Sequence, residues 1–235
     1  MRDIQVIGFD ADDTLWVNET YFWETEKKFC ALLSAYADAS TVSSALFRTE
    51  IQNMSLYGYG VKAYILSIME TAIRISKGNI SPDILQEIIT LGKEQLRKPV
   101  VLLPGVEQIL SSLHGKYKLI VATKGDLLDQ ENKLIRSGLE HYFHHVEIMS
   151  DKTEKEYRKL LHHLDIRPEQ FLMIGNSVKS DILPPLALGS HAVYVPSGTT
   201  WIHELEDEPG NNSRFHKVSS IEEVLDLLSS DPPSA

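Results

Sequence analysis

Ile4-Gln5-Val6-Ile7-Gly8-Phe9-Asp10-Ala11-Asp12-Asp13-Thr14-Leu15 stands near the start of the chain. The apolar run from Ile4 to Phe9 reads as a buried strand, and it delivers three acidic residues within four positions. Carboxylates crowded just past a buried strand repel one another and lose hydration, a cost that a bound cation or a phosphate-transfer site would offset. Turn formation or helix capping accounts for Asp13 taken alone. The spacing of Asp10 and Asp12, with Thr14 beyond, suits a pair in which one carboxylate attacks phosphorus and its neighbour handles the leaving-group proton.

Composition narrows the setting. At 235 residues and 43% hydrophobic content the chain can bury a substantial core. A formal charge of −10 disfavours general nucleic-acid binding, which needs clustered positive charge to replace counterions. No stretch approaches the ~20 continuous apolar residues of a membrane span. Met1-Arg2-Asp3-Ile4 also lacks the long apolar region of a signal peptide, so the expected location is the cytoplasm. Cys30, the single cysteine, lies in a helical apolar pattern and is expected to be a buried, inert thiol.

From about Asn18 to Lys98 the signals are helical almost without interruption. Val61, Ile65, Ile68, Ala72 and Ile75 recur at helical spacing, and Ser81-Pro82 supplies an N-cap and first-turn proline for a helix through Ile88 and Ile89. An alternating pattern follows: helix Val106 to Leu113, strand Lys118 to Thr123, helix Leu128 to Ser137 closed by Gly138, strand Val146 to Met149 and helix Glu154 to Leu164. Strands Phe171 to Ile174 and His191 to Val195 come next, then a loop from about Pro196 to Phe215, a last helix near Ile221 to Leu228, and a frayed tail from Ser229. Short apolar strands separated by helices predict an α/β fold, a parallel sheet covered by helices on both faces, with its ligand crevice at the strands' C-terminal ends.

Each later strand ends on a polar group that an anion-processing crevice could use. Thr123 closes Leu119-Ile120-Val121-Ala122, either as a phosphate ligand or as a cap. Lys152 follows Met149-Ser150, either balancing the carboxylates or solvated beside Lys155 and Lys159. Phe171-Leu172-Met173-Ile174 leads into Gly175-Asn176-Ser177-Val178-Lys179-Ser180-Asp181, where Asn176 and Asp181 can supply oxygen ligands or Asp181 can cap a helix. His141, His144 and His145 are expected at the surface rather than on a metal.

In this order and at these strand ends, the chain from Ile4 to about Val195 resembles the haloacid dehalogenase-like hydrolase superfamily. The resemblance implies a Rossmann-like parallel core formed by residues 1–17 and 99–235, with an inserted all-α cap domain, residues 18–98. It implies a magnesium-dependent phosphatase acting on a small phosphorylated metabolite through an aspartyl-phosphate. By that resemblance Asp10 is the nucleophile, Asp12 the general acid/base, Thr123 the second-motif phosphate ligand and Lys152 the third-motif lysine. Lys152 is preferred to Lys155 for its five-residue spacing to Tyr157. Magnesium would be held by Asp10, Asp12 through its backbone carbonyl, Asn176 and Asp181.

Lys124, after Thr123, either touches substrate or faces solvent. Trp16 is a pocket wall or interdomain packing, and Tyr57 and Tyr59, flanking Gly58, are candidate substrate contacts on a closing loop. The fourth motif usually reads Gly-Asp, so Asn176 removes one negative charge from the cation site. That departure keeps open a catalytically weak or non-catalytic binding or regulatory protein of the same fold. A haloacid dehalogenase is the chemical rival, but carbon-halogen cleavage has no alkoxide to protonate, and Asp12 favours the phosphatase.

Overall fold

Alternation along the strands decides which layer each residue joins. The computed structural model of the chain describes residues 1, 3–199 and 201–229, so of the frayed tail expected from Ser229 only Ser229 is described, as the end of a helix, and the rest lies outside the described residues. In chain order the regular elements are β1 (Val6–Phe9), α1 (Glu19–Leu32), α2 (Ala39–Tyr57), α3 (Val61–Ile75), α4 (Pro82–Leu96), α5 (Val106–Leu113), β2 (Lys118–Lys124) and α6 (Leu127–Ser137). They continue with β3 (His145–Met149), α7 (Glu154–His163), β4 (Phe171–Gly175), α8 (Leu183–Ala187), β5 (His191–Tyr194), β6 (Phe215–Lys217) and α9 (Val224–Ser229).

Among the described residues the strands form one sheet in the order β3-β2-β1-β4-β5-β6, every neighbouring pair parallel. Ile7, Phe9, Leu119, Val121, Leu172 and Ile174 point to one face, where they pack with Val106, Ile109 and Leu110 of α5, Leu134 of α6 and Val224 of α9. Val6, Ile120, Ala122, Phe171 and Met173 point to the other, against Tyr157, Leu160 and Leu161 of α7. Both faces are therefore apolar, which is why these strands read as continuous hydrophobic runs. The core is an α/β Rossmann-like sheet covered on both sides.

Two compact units divide the chain. One comprises Met1–Glu19, Val100–Lys124 and Glu131–Ala235, and contains the sheet. The other comprises Thr20–Pro99 with Gly125–Gln130. Within this helical unit Phe29, Leu33, Val42, Leu46, Tyr64, Ile68, Ala72 and Ile88 form a core of their own. Ser81 caps α4 as its sequence suggests, its hydroxyl accepting from the Ile84 N–H at 3.2 Å.

The grouping of Gly125–Gln130 with this unit has a local cause. Lys62 Nζ lies 2.9 Å from Asp126 Oδ1, and a Cβ on Gly60 would stand 3.0 Å from the Asp126 nitrogen. Cys30 is half-buried rather than buried, and burial still pushes its thiol up. No helix among the described residues is long and apolar enough to cross a membrane.

β6 is the strand that the sequence did not predict, starting where the loop expected from Pro196 to Phe215 ends. It pairs with β5 through Ala192–Phe215, Val193–His216 and Tyr194–Lys217.

β1 has no room on one face at Gly8, where an added Cβ would meet Phe171 Cζ at 2.7 Å and Met173 Sδ at 3.2 Å. Gly8→Ala should therefore cost about 1–3 kcal/mol by overpacking. The check is a lowered urea midpoint with an unchanged m value.

Candidate functional site

The sheet register brings the candidate residues to one end of the strands. Phe9 is aligned with Val121 of β2 and Ile174 of β4, so Asp10 follows β1 between Ala122-Thr123 and Gly175-Asn176. The Asp10 N–H donates to the Ile174 carbonyl at 2.9 Å, which keeps the backbone in strand pairing up to the carboxylate. Asp13 adopts a left-handed backbone, φ 59°, and its carboxylate accepts from the N–H groups of Asn18 and Glu19 at 3.0 and 2.8 Å. It is the turn former of the acidic cluster.

Lys152 is the centre of the site. Its Nζ lies 2.5 Å from Asp10 Oδ1 and 2.6 Å from Asp181 Oδ1, with all three side chains buried. Lys155, the competing candidate, is exposed on α7. Burial raises the pKa of Asp10, to about 7, because a single ammonium faces two carboxylates and offsets that burial only in part. Burial opposes charge on Lys152 as well, but the attraction of Asp10 and Asp181 outweighs it and holds the ammonium above its usual range.

Asp181 is held from both sides. Its Oδ2 accepts from the Ser177 N–H at 2.9 Å, in a turn where Ser177 Oγ accepts from the Ser180 N–H at 3.0 Å. Tyr157 of α7 donates from its hydroxyl to the Ser180 carbonyl at 3.1 Å. Gly175 makes the arrangement possible, since a Cβ there would stand 2.3 Å from Asp181 Oδ2.

Asp12 points to a different group of partners. Its Oδ1 accepts from Trp16 Nε1 at 2.7 Å, and Lys133 Nζ lies 2.9 and 3.1 Å from its two oxygens while also donating to Asn18 Oδ1 at 3.0 Å. Trp16 is buried in the sheet core, so its observed part is to hold Asp12. Lys133 was not found by sequence reasoning, since on α6 it reads as an ordinary solvated helix charge.

Thr123 is buried at the end of β2 with its hydroxyl donating to the Lys124 carbonyl at 3.3 Å. Lys124 Nζ donates to Ser180 Oγ at 2.8 Å and to Glu204 Oε1 at 2.7 Å. Tyr57 and Tyr59 belong to the helical unit, where Gly58 caps α2 and Gly60 precedes α3. Tyr57 is exposed. Two of the three histidines are occupied locally, His141 Nδ1 lying 2.9 Å from the Gly138 carbonyl oxygen and His145 Nε2 2.9 Å from Glu147 Oε2, and His144 is exposed.

Whether a cation suits this site can be tested on Asn176. Its Oδ1 accepts from Thr14 Oγ1 at 3.1 Å, and the same position lies 3.2 Å from both Asp10 Oδ2 and the Asp12 carbonyl oxygen. Oxygens crowded together at this spacing repel. Magnesium with six oxygens at about 2.1 Å sets neighbouring ligands about 3 Å apart, so this oxygen set fits it. With the carboxamide turned over, its nitrogen instead donates to Thr14 Oγ1, Asp10 Oδ2 and the Asp12 carbonyl. The two oxygens of Asp181 accept from Lys152 and from the Ser177 N–H, whereas the Asn176 carboxamide faces Asp10. Among the described residues no group of three or more His, Cys, Asp or Glu side chains could hold a metal ion. The oxygen set relies on a backbone carbonyl and an amide beside a single carboxylate.

A profile of the haloacid dehalogenase-like hydrolase family matches residues 4–189, and the chain belongs to that family. It is 27% identical over 169 residues to the N-acylneuraminate-9-phosphatase of Mus musculus, a match covering 68% of this chain and 66% of that protein. It is 33% identical over 131 residues to the glyceraldehyde 3-phosphate phosphatase of Methanothermobacter thermautotrophicus, covering 52% and 58% respectively. The matches thus span less than two thirds of the length of these curated relatives. A solved haloacid dehalogenase-like family hydrolase from Xanthomonas campestris is 35% identical, with a TM-score of 0.87 over 97% of this chain and 91% of the other.

Lys152→Met would leave Asp10 and Asp181 facing each other in a buried space without the ammonium between them. The expected loss is about 3–5 kcal/mol, read from denaturant unfolding at neutral pH. Asn176→Asp would put a second carboxylate in the oxygen set. Magnesium affinity measured by calorimetry should rise roughly tenfold, and the melting temperature in chelator should fall.

Proposed function

We propose that the chain is a phosphoric monoester hydrolase that transfers the phosphoryl group of a small phosphorylated metabolite to Asp10 and then to water, with magnesium as cofactor. One observation carries the reading: the buried ammonium of Lys152 lies against Asp10 at the C-terminal end of the central strand, with Asp12 two residues further along the chain. An anionic nucleophile meets an anionic phosphoryl group only where the site supplies positive charge and in-line placement. The family assignment and the phosphatases among its relatives support the same reading.

In the proposed reaction an Asp10 carboxylate oxygen attacks phosphorus, and the ester P–O bond breaks with its electron pair on the leaving oxygen. Asp12, carrying a proton, leaves Lys133 and Trp16 to deliver that proton to the departing alkoxide. Asp12 then takes a proton from water as the water oxygen attacks the aspartyl-phosphate, which releases phosphate and restores the Asp10 carboxylate and the protonated Asp12. Lys152 stays between Asp10 and Asp181 throughout and offsets charge on the phosphoryl oxygens. Magnesium held by Asp10, the Asp12 carbonyl and Asn176 would supply further positive charge. Thr123 is assigned to a phosphoryl oxygen and Lys124 to the edge of the same site. Substrate choice is assigned to the helical unit as the cap, with Tyr57 and Tyr59 as candidate contacts, and a cytoplasmic setting goes with the proposal.

Asp10 provides the test. Assayed on a panel of phosphorylated metabolites with magnesium, Asp10→Asn should lose turnover by at least about a thousandfold while keeping its fold. In the unchanged protein attack needs ionised Asp10, and burial raises that group to about 7. The protonated fraction therefore grows as pH falls, and kcat/KM should drop about tenfold per unit below about pH 7, the limb moving to lower pH as magnesium is raised. Full activity in Asp10→Asn, or a flat profile from pH 5 to 8, would refute the assignment.

A further inference from the structure

Glu204 lies outside every motif discussed so far. It ends a short 3-10 turn, Ile202–Glu204, in the loop between β5 and β6. Ile202 and Leu205 on either side are 69% and 61% exposed, whereas the Glu204 side chain is 12% exposed. A segment docked for hydrophobic reasons would turn those apolar side chains inward. Here the carboxylate goes in and the apolar groups stay out, which is costly unless the carboxylate meets specific partners.

It meets three. Oε1 accepts from Lys124 Nζ at 2.7 Å, and Oε2 accepts from Ser177 Oγ at 2.7 Å and from Ser180 Oγ at 2.5 Å. Burial alone would raise this group, but the attraction and hydrogen bond of Lys124, with those of the two serines, hold it at about 2. Lys179 anchors the neighbouring backbone, its Nζ donating to the His203 carbonyl at 2.9 Å.

We infer that Glu204 is a positioning residue of the Asp10 site, fixing the Ser177–Asp181 turn and Lys124 to each other across the nucleophile strand. Lys124 ends β2 and Ser177 follows β4, the two strands that flank β1. Glu204 accepts the hydrogen bond of the Ser177 hydroxyl, so the lone pairs of that oxygen are free to accept the Ser180 N–H. The Ser177 N–H holds Asp181, Asp181 holds Lys152, and Lys152 holds Asp10. Every link is a buried or part-buried hydrogen bond, so a change at Glu204 reaches the nucleophile through four contacts. The carboxylate also gives Lys124 a counter-charge at 2.7 Å.

The inference rests on the phosphatase reading and is tested beside it. Wild type, Glu204→Gln, Lys124→Met and the double variant are assayed with magnesium on p-nitrophenyl phosphate and on the best metabolite of the panel. Glu204→Gln should lower kcat roughly tenfold with little change in KM, and the double variant should be no slower than the slower single. Unchanged kcat in Glu204→Gln, even with a lowered melting temperature, would overturn the inference, as would single effects that simply multiply. If Glu204→Gln does not fold, Ser177→Ala cuts the same branch and takes its place. If wild type hydrolyses nothing, the phosphatase reading fails instead. A crystal structure of the variant then decides: a shifted Asp181–Lys152 contact supports the positioning role and an unmoved one rejects it.

Discussion

A buried ammonium shared by two carboxylates is the constraint around which this site is built. Lys152, Asp10 and Asp181 come from three separate stretches of chain, and none is tolerable in the interior without the others. Their meeting fixes the loop after β3, the turn after β4 and the end of β1 in one geometry. Several details of packing serve that meeting. Gly175 leaves space for the Asp181 carboxylate, Tyr157 ties α7 to the Ser180 carbonyl, and parallel pairing brings the C-terminal ends of β1, β3 and β4 to one side of the sheet. The sheet supplies the frame, and the ion pair selects one arrangement of the loops upon it.

Charge is distributed in two neighbouring groups. In one, a lysine faces two aspartates; in the other, Lys124 faces Glu204 with Asp151 3.9 Å away. Burial is why Asp10 is raised rather than lowered, since an ammonium shared with Asp181 offsets that burial only in part despite an ion pair at hydrogen-bond distance. An anion-processing site needs additional positive charge there, and the oxygen set of Asp10, Asp12 and Asn176 is where hard-cation chemistry fits. The Asn176 carboxamide can present either an oxygen or an N–H to the same neighbours. It therefore suits that set both with a cation and without one.

Much of this was legible in the sequence because the signals are local. The apolar runs Val6-Ile7-Gly8-Phe9 and Phe171-Leu172-Met173-Ile174 are strands buried on both faces, and Ser81-Pro82 and Gly138 mark helix ends by backbone chemistry alone. Polar residues just past those strands were readable as one site because parallel strands put their C-terminal ends on the same side. What escaped was non-local or too short. Lys133 gains its meaning only from folding back onto Asp12, and Glu204 sits in an acidic stretch with Glu206, Asp207 and Glu208 that has no periodicity. Trp16 was ambiguous because an indole buries as readily in a core as in a pocket wall. Phe215-His216-Lys217 is three residues long, below the length at which alternation can be recognised.

That short strand has a consequence at the border of the sheet. Among the described residues β6 is the outermost strand on its side, and an open edge there invites a second molecule to add a strand of its own. Three residues ending in a charged lysine, whose Nζ lies 2.6 Å from Glu208, offer little backbone to copy. The fold thus ends its sheet with a border that discourages edge-to-edge aggregation.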